Sequence, residues 1–440
     1  MQKHQLKKIV QLQKENNPTG IYSVCSANEF VLKAALRRGL QTKTPVLIEA
    51  TSNQVNQYGG YTNMLPEDFK NFVYKLAKEE NYPLENIILG GDHLGPLTWT
   101  HLNEEEAMKE ASKLIELYVL AGYTKIHIDT SMRLNDDDTS IPLSTQVIAN
   151  RGAKLAKVAE DAYQQLLKKN NDAASPVYIV GSEVPIPGGS VAVVDEGVQV
   201  TKIEDFKATY NTFEEAFKNR GLNDAWDNVI ALVVQPGVEE KDAGCTEYDR
   251  EKAKDLMNSI KEYDNIVFEG HSTDYQTKQA LRELIEDGVG ILKVGPGLTF
   301  AAREALFALA FIEKELFKDT DTIQSNFMDV LDTAMLENPK NWQKHYHGTA
   351  QEIALKRKYS FSDRSRYYIP TVDVSNSINI LLKNLENGVP LNLLSQFMPI
   401  QYTKVRDGLI KNTPEDLIID RVINTIDEYL QATHQDKLWI

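Results

Sequence analysis

The segment Gly90–Pro96 places a carboxylate and an imidazole side by side, as Asp92 and His93. It follows the apolar run Ile87–Leu89, so a buried strand is predicted to end here and a glycine-rich loop to begin. A carboxylate in such a loop could serve as general acid or base on a substrate hydroxyl, and an imidazole could bind a metal ion. The alternative for Asp92 is structural, as a helix N-cap or a brace for the loop.

A second histidine, His271, ends the predicted strand Asn265–His271, and Glu183 ends the predicted strand Pro176–Glu183. If these strands belong to one barrel, their carboxyl ends face a common centre. His93, His271 and Glu183 would then form the set of two histidines and a carboxylate that is typical of a divalent catalytic metal with an open position. Zinc, manganese, cobalt and nickel are all compatible with it. The alternative is that each histidine only makes hydrogen bonds within its loop.

Two further segments have the composition of a phosphate site. Gly295–Thr299 runs directly into a predicted helix, and its backbone N–H groups, with the hydroxyls of Ser272 and Thr273, predict a phosphate cradle where barrels commonly place one. Arg364 and Arg366 could also hold a phosphate bidentately, or they could brace the C-terminal helices by salt bridges. The sequence leaves both roles of the arginines open.

The elements that must position these groups form an alternation of short β-branched runs and longer segments with helical periodicity. Apolar strands separated by helices indicate a parallel sheet covered on both faces. Eight such units in about the first 300 residues predict an α/β fold, a (β/α)8 TIM barrel, with a doubly wound open sheet as the alternative. The eight predicted strands are Ile21–Ser26, Pro45–Thr51, Asn86–His93, Lys125–Ser131, Pro176–Glu183, Asn228–Gln235, Asn265–His271 and Gly290–Gly295.

Side chains capable of chemistry recur at the C-terminal ends of these strands, which is where barrels build active sites. The candidate catalytic residues are Asp92, Asp129 and Glu183. The candidate metal ligands are His93, His271 and Glu183. The candidate residues for binding a substrate or its phosphate are Glu49, Ser52, Asn53, Gln54, Gln235, Ser272, Thr273, Lys293, Gly295, Gly297, Arg364 and Arg366. Lys293 could form a Schiff base, but pairing with Glu49 is favoured, because a Schiff base would leave the histidines unexplained.

Composition limits the possible partners. The chain has 440 residues, 42% hydrophobic content and a net charge of −15, which argues against binding nucleic acid or an anionic membrane. Two cysteines without a Cys-x-x-Cys pattern indicate a reducing, cytoplasmic compartment. Residues 1–310 are predicted to form the barrel with an N-terminal helix. Residues 311–440 are predicted to form a helical extension that covers part of the barrel or makes a subunit contact, and a homo-oligomer is expected.

Several longer strings of residues resemble one known family. They are Glu49–Gly60, Gly90–Pro96, Lys125–Met132, Gly181–Pro185, Val234–Gly237, Phe268–Ser272 and Ser362–Tyr368. Together they look like the Z-subunit (GatZ/KbaZ-like) family of class II tagatose-1,6-bisphosphate aldolases, and the likeness covers essentially the whole chain. Some members are labelled as kinases, but this sequence contains no P-loop.

The resemblance implies roles for particular residues. In class II aldolases an Asp-His pair after the third strand supplies the acid/base carboxylate and a zinc ligand, which implies these roles for Asp92 and His93. A later histidine ligand matches His271. At the sixth strand the catalytic aldolases have another histidine, where this chain has Gln235. The resemblance thus implies an altered metal site, in which Glu183 or Gln235 fills the gap.

Two functions are compatible with this resemblance. One is a metal-dependent ketohexose-phosphate enzyme, a 4-epimerase that interconverts tagatose 6-phosphate and fructose 6-phosphate by retro-aldol chemistry. The other is a non-catalytic subunit that stabilises a catalytic Y subunit of class II tagatose-1,6-bisphosphate aldolase. The epimerase would bind a small sugar phosphate. The stabilising subunit would also bind a protein partner, the Y subunit.

Overall fold

The computed structural model of the protein describes residues 4–182 and 198–440. Eight parallel strands follow one another in chain order around a closed barrel, which confirms the predicted (β/α)8 fold. The barrel strands are β1 (Ile21–Val24), β2 (Val46–Thr51), β3 (Ile87–Leu94), β4 (Lys125–Ile128), β5 (Val177–Val180), β6 (Val229–Val234), β9 (Val267–Gly270) and β10 (Val289–Val294). A short antiparallel hairpin that was not predicted, β7 (Glu239–Lys241) and β8 (Gly244–Thr246), follows β6.

Helices cover the barrel from outside. The helices up to the last barrel strand are α1 (Gln5–Lys14), α2 (Glu29–Thr42), α3 (Pro66–Glu79), α4 (Glu104–Ala121), α5 (Thr145–Lys169), α6 (Ile203–Lys218), α7 (Asn223–Trp226), α8 (Arg250–Ser259) and α9 (Lys278–Glu286). Those after it are α10 (Pro296–Leu316), α11 (Phe327–Glu337), α12 (Ala350–Tyr359), α13 (Val372–Asn384), α14 (Leu391–Phe397), α15 (Pro399–Arg406) and α16 (Pro414–Thr433). Among the described residues no helix has the length and apolarity to cross a membrane.

The C-terminal helices predicted from the sequence are present and pack on the barrel. Helix α16 packs against α2, α9 and α10, so the end of the chain becomes part of the shell. Helix α10 runs without a break through residue 310. The division into two units at that residue therefore remains a prediction.

The interior of the barrel changes character along its axis. One end is apolar, where Ile21, Leu47 and Ile88 pack with Leu6 and Ile9 of α1. Toward the carboxyl ends of the strands the filling becomes ionic, with charged side chains that are 0–5% exposed. Because charged groups are buried in a protein only when they are paired, this layer must be arranged as a network.

Two glycines near β3 provide the space for this layer. A Cβ atom at Gly90 would stand 2.7 Å from Cγ of Glu49, so glycine is needed to admit that side chain. A Cβ atom at Gly95 would collide with the carbonyl oxygen of Asp129. The glycine-rich character of the segment is thus explained by close approach of its neighbours.

Candidate metal centre and its cavity

Three histidines and one aspartate meet at the carboxyl ends of β3, β4 and β9. Asp92, His93, His127 and His271 each offer a ligand atom, and these atoms all lie within 4.8 Å of one another. The ring centroids of the three imidazoles are 4.9 to 5.1 Å apart. We call these four residues the histidine cluster. The structure thus brings together the predicted pair Asp92-His93 and the predicted His271.

Strand β3 bends so that Asp92 and His93 both reach the cluster. In a regular strand adjacent side chains point to opposite faces. Here His93 has a φ of +48°, in the left-handed region, and the pairing of β3 with β4 shifts register between Gly91 and Leu94. A non-glycine residue in this region is uncommon and is often found where function requires it.

Hydrogen bonds to carboxylates orient two of the imidazoles. Nδ1 of His93 lies 2.9 Å from Oδ2 of Asp129, and Nε2 of His271 lies 2.9 Å from Oε1 of Glu269. Metal-binding histidines in proteins commonly use one ring nitrogen for the metal and the other for such a partner. Asp129, expected as a catalytic residue, is therefore placed to hold His93 in position.

His127 is the member of the cluster that was not predicted from the sequence as a metal ligand. Its Nδ1 lies 2.9 Å from Oδ1 of Asp92 and 3.1 Å from the backbone N of His93, and donation of the Nδ1 proton to the carboxylate leaves Nε2 with a lone pair. Its Nε2 is buried and has no hydrogen-bond partner among the described residues. A buried nitrogen lone pair without a proton donor, beside a carboxylate and two other imidazoles, suits a divalent cation. The residues present therefore fit a metal ion.

A network of four buried charges lies beneath the cluster. Nζ of Lys125 is 2.7 Å from Oε1 of Glu49 and 2.7 Å from Oε2 of Glu269. Nζ of Lys293 is 2.9 Å from Glu49 and 2.7 Å from Oδ1 of Asp92. The favoured pairing of Lys293 with Glu49 is thus present. Burial would lower the pKa of Lys293, but the surrounding carboxylates hold it well above its usual range, so this lysine is a cation and not a Schiff-base nucleophile.

The same network sets the protonation of the cluster. Burial would raise the pKa of Asp92, but Lys293 and the histidines hold it well below its usual range. Burial likewise opposes ionisation of Asp129, yet its hydrogen bond with His93 lowers its pKa to about 2. Burial lowers the pKa of His127 to about 4, which keeps this imidazole neutral at physiological pH. Ionised carboxylates and a neutral imidazole are the forms that bind metals.

The cluster opens into a cavity at the top of the barrel. Its wall contains many of the residues predicted to bind substrate, namely Asn53, Gln54, Ser272, Lys293, Gly295 and Arg366. It also contains Cys25, Tyr61, Glu240, Asp274 and Tyr367, which were not in the list of candidate binding residues. Glu240 comes from the unpredicted hairpin, which explains why no strand-end pattern revealed it.

Several predicted binding residues serve the protein's own structure. The side-chain oxygen of Gln235 accepts the N–H groups of Gly237 and Val238 at 2.8 and 2.9 Å, so the prediction that it could complete the metal site is not supported. The hydroxyl of Thr273 donates to the carbonyl of Lys293 at 2.6 Å. Ser52 is fully buried and its hydroxyl lies 3.4 Å from the carbonyl oxygen of His93.

The predicted phosphate cradle is already engaged. The N–H groups of Gly295 and Gly297 donate to Oδ1 of Asp274 at 3.0 and 2.7 Å. The expectation that these amides are free for a phosphate is therefore corrected, because an internal carboxylate takes them.

Arg364 and Arg366 lie in different parts of the protein, and the predicted metal ligand Glu183 is not among the described residues. Arg366 lines the cavity, and its guanidinium donates to the phenol oxygen of Tyr367 at 3.1 Å. The guanidinium of Arg364 lies 3.1 Å from Nδ1 of His345, within the C-terminal helices. Glu183, predicted both as a catalytic residue and as a metal ligand, lies outside the described residues.

Comparison with known proteins assigns the chain to a family. A family model described as D-tagatose-1,6-bisphosphate aldolase subunit GatZ/KbaZ-like matches residues 6–434. The chain belongs to this family. The crystal structure of a probable tagatose 6 phosphate kinase from Sinorhizobium meliloti 1021 is 43% identical, with a TM-score of 0.85 over 94% of this chain and 100% of that one.

More distant structures are also similar. Fructose-bisphosphate aldolase from Campylobacter jejuni is 17% identical, with a TM-score of 0.42 over 87% of this chain and 92% of that one. The YdjI aldolase from Escherichia coli K12 is 12% identical, with a TM-score of 0.40 over 85% of this chain and 96% of that one. These likenesses are too distant to bear on function.

Proposed function

We propose that this protein is a metal-dependent ketohexose-phosphate 4-epimerase that interconverts tagatose 6-phosphate and fructose 6-phosphate. The observation that carries the proposal is the buried histidine cluster beside an open cavity, in which Nε2 of His127 has no partner among the described residues. Membership of a family described as tagatose-bisphosphate aldolase subunits supports a sugar phosphate as substrate. The two sugars differ in configuration at C4 alone, so cleavage and re-formation of the C3–C4 bond would interconvert them.

The three histidines would hold the metal and leave Asp92 for proton transfer. Catalytic metal sites commonly have three protein ligands and an open position. A divalent metal bound there would act as a Lewis acid toward the C2 carbonyl and the C3 oxygen of the sugar. The carboxylates of Asp129 and Glu269 would keep the rings of His93 and His271 oriented.

Asp92 would carry the proton. It lines the cavity, and Lys293, 2.7 Å from its Oδ1, holds it in the ionised form that can accept a proton. Asp92 would take the proton of the C4 hydroxyl as the C4–O electron pair forms a carbonyl and the C3–C4 bond breaks. The electrons of that bond remain on the three-carbon fragment as an enediolate. After the aldehyde turns over, C3 attacks its other face and Asp92 returns the proton to the C4 oxygen.

The cavity wall offers a charged group and a hydroxyl group to the substrate. Arg366 contributes a permanent positive charge to the wall, and Ser272 contributes a hydroxyl.

Incubation of the purified protein with fructose 6-phosphate tests this proposal. Tagatose 6-phosphate should appear in the ¹³C NMR spectrum, a chelator should stop its formation, and one of zinc, manganese, cobalt or nickel should restore it. Asp92→Asn should lower the rate by roughly 10²–10⁴-fold, because it removes the proton carrier. If no tagatose 6-phosphate forms with any of these metals, the proposal is wrong.

A second candidate function is supported by the description of the family as aldolase subunits. In this role the protein would stabilise a catalytic Y subunit of class II tagatose-1,6-bisphosphate aldolase without turning over substrate itself. Co-expression should then yield a complex in which the Y subunit melts at a higher temperature than it does alone. Absence of a complex would argue against this role.

A further inference from the structure

At the ends of β9 and β10, a carboxylate of the protein occupies a position in the cavity wall where an external anion could bind. Two amides at the start of α10, those of Gly295 just before the helix and Gly297 in its first turn, converge on a single oxygen, Oδ1 of Asp274. Asp274 lines the cavity and is only 2% exposed. We call the two amides together with this carboxylate the filled cradle.

Without Asp274 this position would suit a phosphoryl group. Backbone N–H groups at a helix N-terminus attract anions, and barrels commonly bind phosphate with the loops that follow their seventh and eighth strands. β9 and β10 are the seventh and eighth barrel strands here. A Cβ atom at Gly297 would stand 3.1 Å from Oδ1 of Asp274, so glycine at this position permits the carboxylate to approach.

A second buried carboxylate increases the negative character of this wall. Glu240, on β7, is 5% exposed and also lines the cavity. Burial, reinforced by the charge of Glu240, raises the pKa of Asp274 to about 7. Two carboxylates close enough to affect each other in this way would repel a phosphate dianion, whereas a sugar hydroxyl could donate a hydrogen bond to them.

We propose that Asp274 determines specificity by occupying the amides of Gly295 and Gly297, so that this end of the cavity accepts a sugar hydroxyl and rejects a phosphoryl group. The substrate class is then a ketose phosphorylated at one end only. This inference rests on the proposed function for the identity of the sugar. The exclusion of a second phosphate is a property of the binding site and can be measured without turnover.

Calorimetric titration with fructose 6-phosphate and fructose 1,6-bisphosphate tests the inference. The wild type should bind the bisphosphate at least about tenfold more weakly than the monophosphate, because charge-assisted hydrogen bonds from the two amides are not open to its second phosphate. Asp274→Ala frees both amides and should shift the ratio of the two dissociation constants by about tenfold or more toward the bisphosphate. A wild type that binds both sugars equally, or a folded Asp274→Ala variant with the wild-type ratio, would overturn the inference.

Glu240→Gln is the matched control. It removes a negative charge from the same wall but leaves the amides bonded to Asp274, so its shift should be smaller than that of Asp274→Ala. An equal shift would mean that charge alone, and not occupation of the amides, sets the preference, and the inference would fail. If Asp274→Ala does not fold, a wild type that binds both sugars equally still overturns the inference. A missing epimerase activity would not change these outcomes, since each reports binding alone.

Discussion

The two halves of the cavity, the histidine cluster and the filled cradle, differ in whether their buried polar atoms have hydrogen-bond partners. In the histidine cluster, Nε2 of His127 is buried without a partner among the described residues. In the filled cradle, the amides of Gly295 and Gly297 are both satisfied by Asp274. Because a buried polar atom without a hydrogen bond costs about 1–3 kcal/mol, the histidine cluster gains stability when a ligand engages this nitrogen, whereas the two amides of the filled cradle already have their partner. The comparison indicates that one half is built to bind an ion and the other to exclude one.

The largest expected effect comes from removing His127 from the histidine cluster. His127→Ala should lower metal affinity by more than the roughly 10–100-fold that loss of an outer-shell partner costs. The exposed histidine His101 provides the control, and His101→Ala should bind metal as the wild type does. Titration of the metal-free proteins with zinc or manganese measures both affinities. Equal affinities in the two variants would show that His127 is not a ligand.

Removing the carboxylate behind the cluster should have a smaller effect. Asp129→Asn keeps the size of the side chain but weakens the hydrogen bond that orients His93. We expect metal affinity to fall by about 10–100-fold, as for other outer-shell partners of metal-binding histidines. The same titration measures it. A loss as large as that of a ligand would instead place Asp129 on the metal.

Asp274 of the filled cradle should make the stability of the protein depend on pH. The pKa of Asp274 is raised from 3.8 to about 7, so between these values the folded protein keeps a proton that the unfolded chain has lost. The free energy of unfolding should therefore fall as the pH rises from about 4 to about 7. Asp274→Asn cannot titrate, and its stability relative to the wild type should increase over that interval and then level off.

Urea unfolding at a series of pH values measures this difference. Each pKa unit corresponds to about 1.4 kcal/mol, so the advantage of the variant should reach a few kcal/mol above pH 7 and vanish below about pH 4. Asp161→Asn, at an exposed position, controls for loss of a charge. A difference that does not vary with pH would show that Asp274 ionises normally in the folded protein.

The smallest effect is expected at Gln235, which belongs to neither the histidine cluster nor the filled cradle. Gln235→Ala removes the acceptor of two loop amides and should cost about 1 kcal/mol of stability. Metal affinity should remain at the wild-type value, because this side chain is directed toward its own loop. A weaker metal site in the variant would restore Gln235 as a ligand candidate.

Much of the barrel and part of the site could be predicted from local patterns. The apolar strands and their spacing predict the fold, and the strand-end rule predicts Asp92, His93 and His271. His127 was missed because it lies within a strand and not at its end. A usable signal was present, since His127 is two residues before Asp129 and so points to the same face of β4.

The remainder depends on contacts between segments that are distant in the chain. Glu240 reaches the cavity through a hairpin with no clear sequence pattern, and Asp274 meets Gly295 and Gly297 across more than 20 residues. A glycine-rich helix start predicts an anion site only if no internal group reaches its amides. That condition cannot be read from the local sequence.

Local patterns in the chain are enough to identify residues able to do chemistry and the strands that carry them, because hydrophobic periodicity and strand-end position are local properties. Which polar groups have a hydrogen-bond partner within the protein, and which are left for a ligand, depends on how the chain folds. Hydrogen bonding and burial are properties of pairs of distant residues, and here they direct Gln235 toward its own loop, leave His127 without a partner among the described residues, and place Asp274 in the filled cradle.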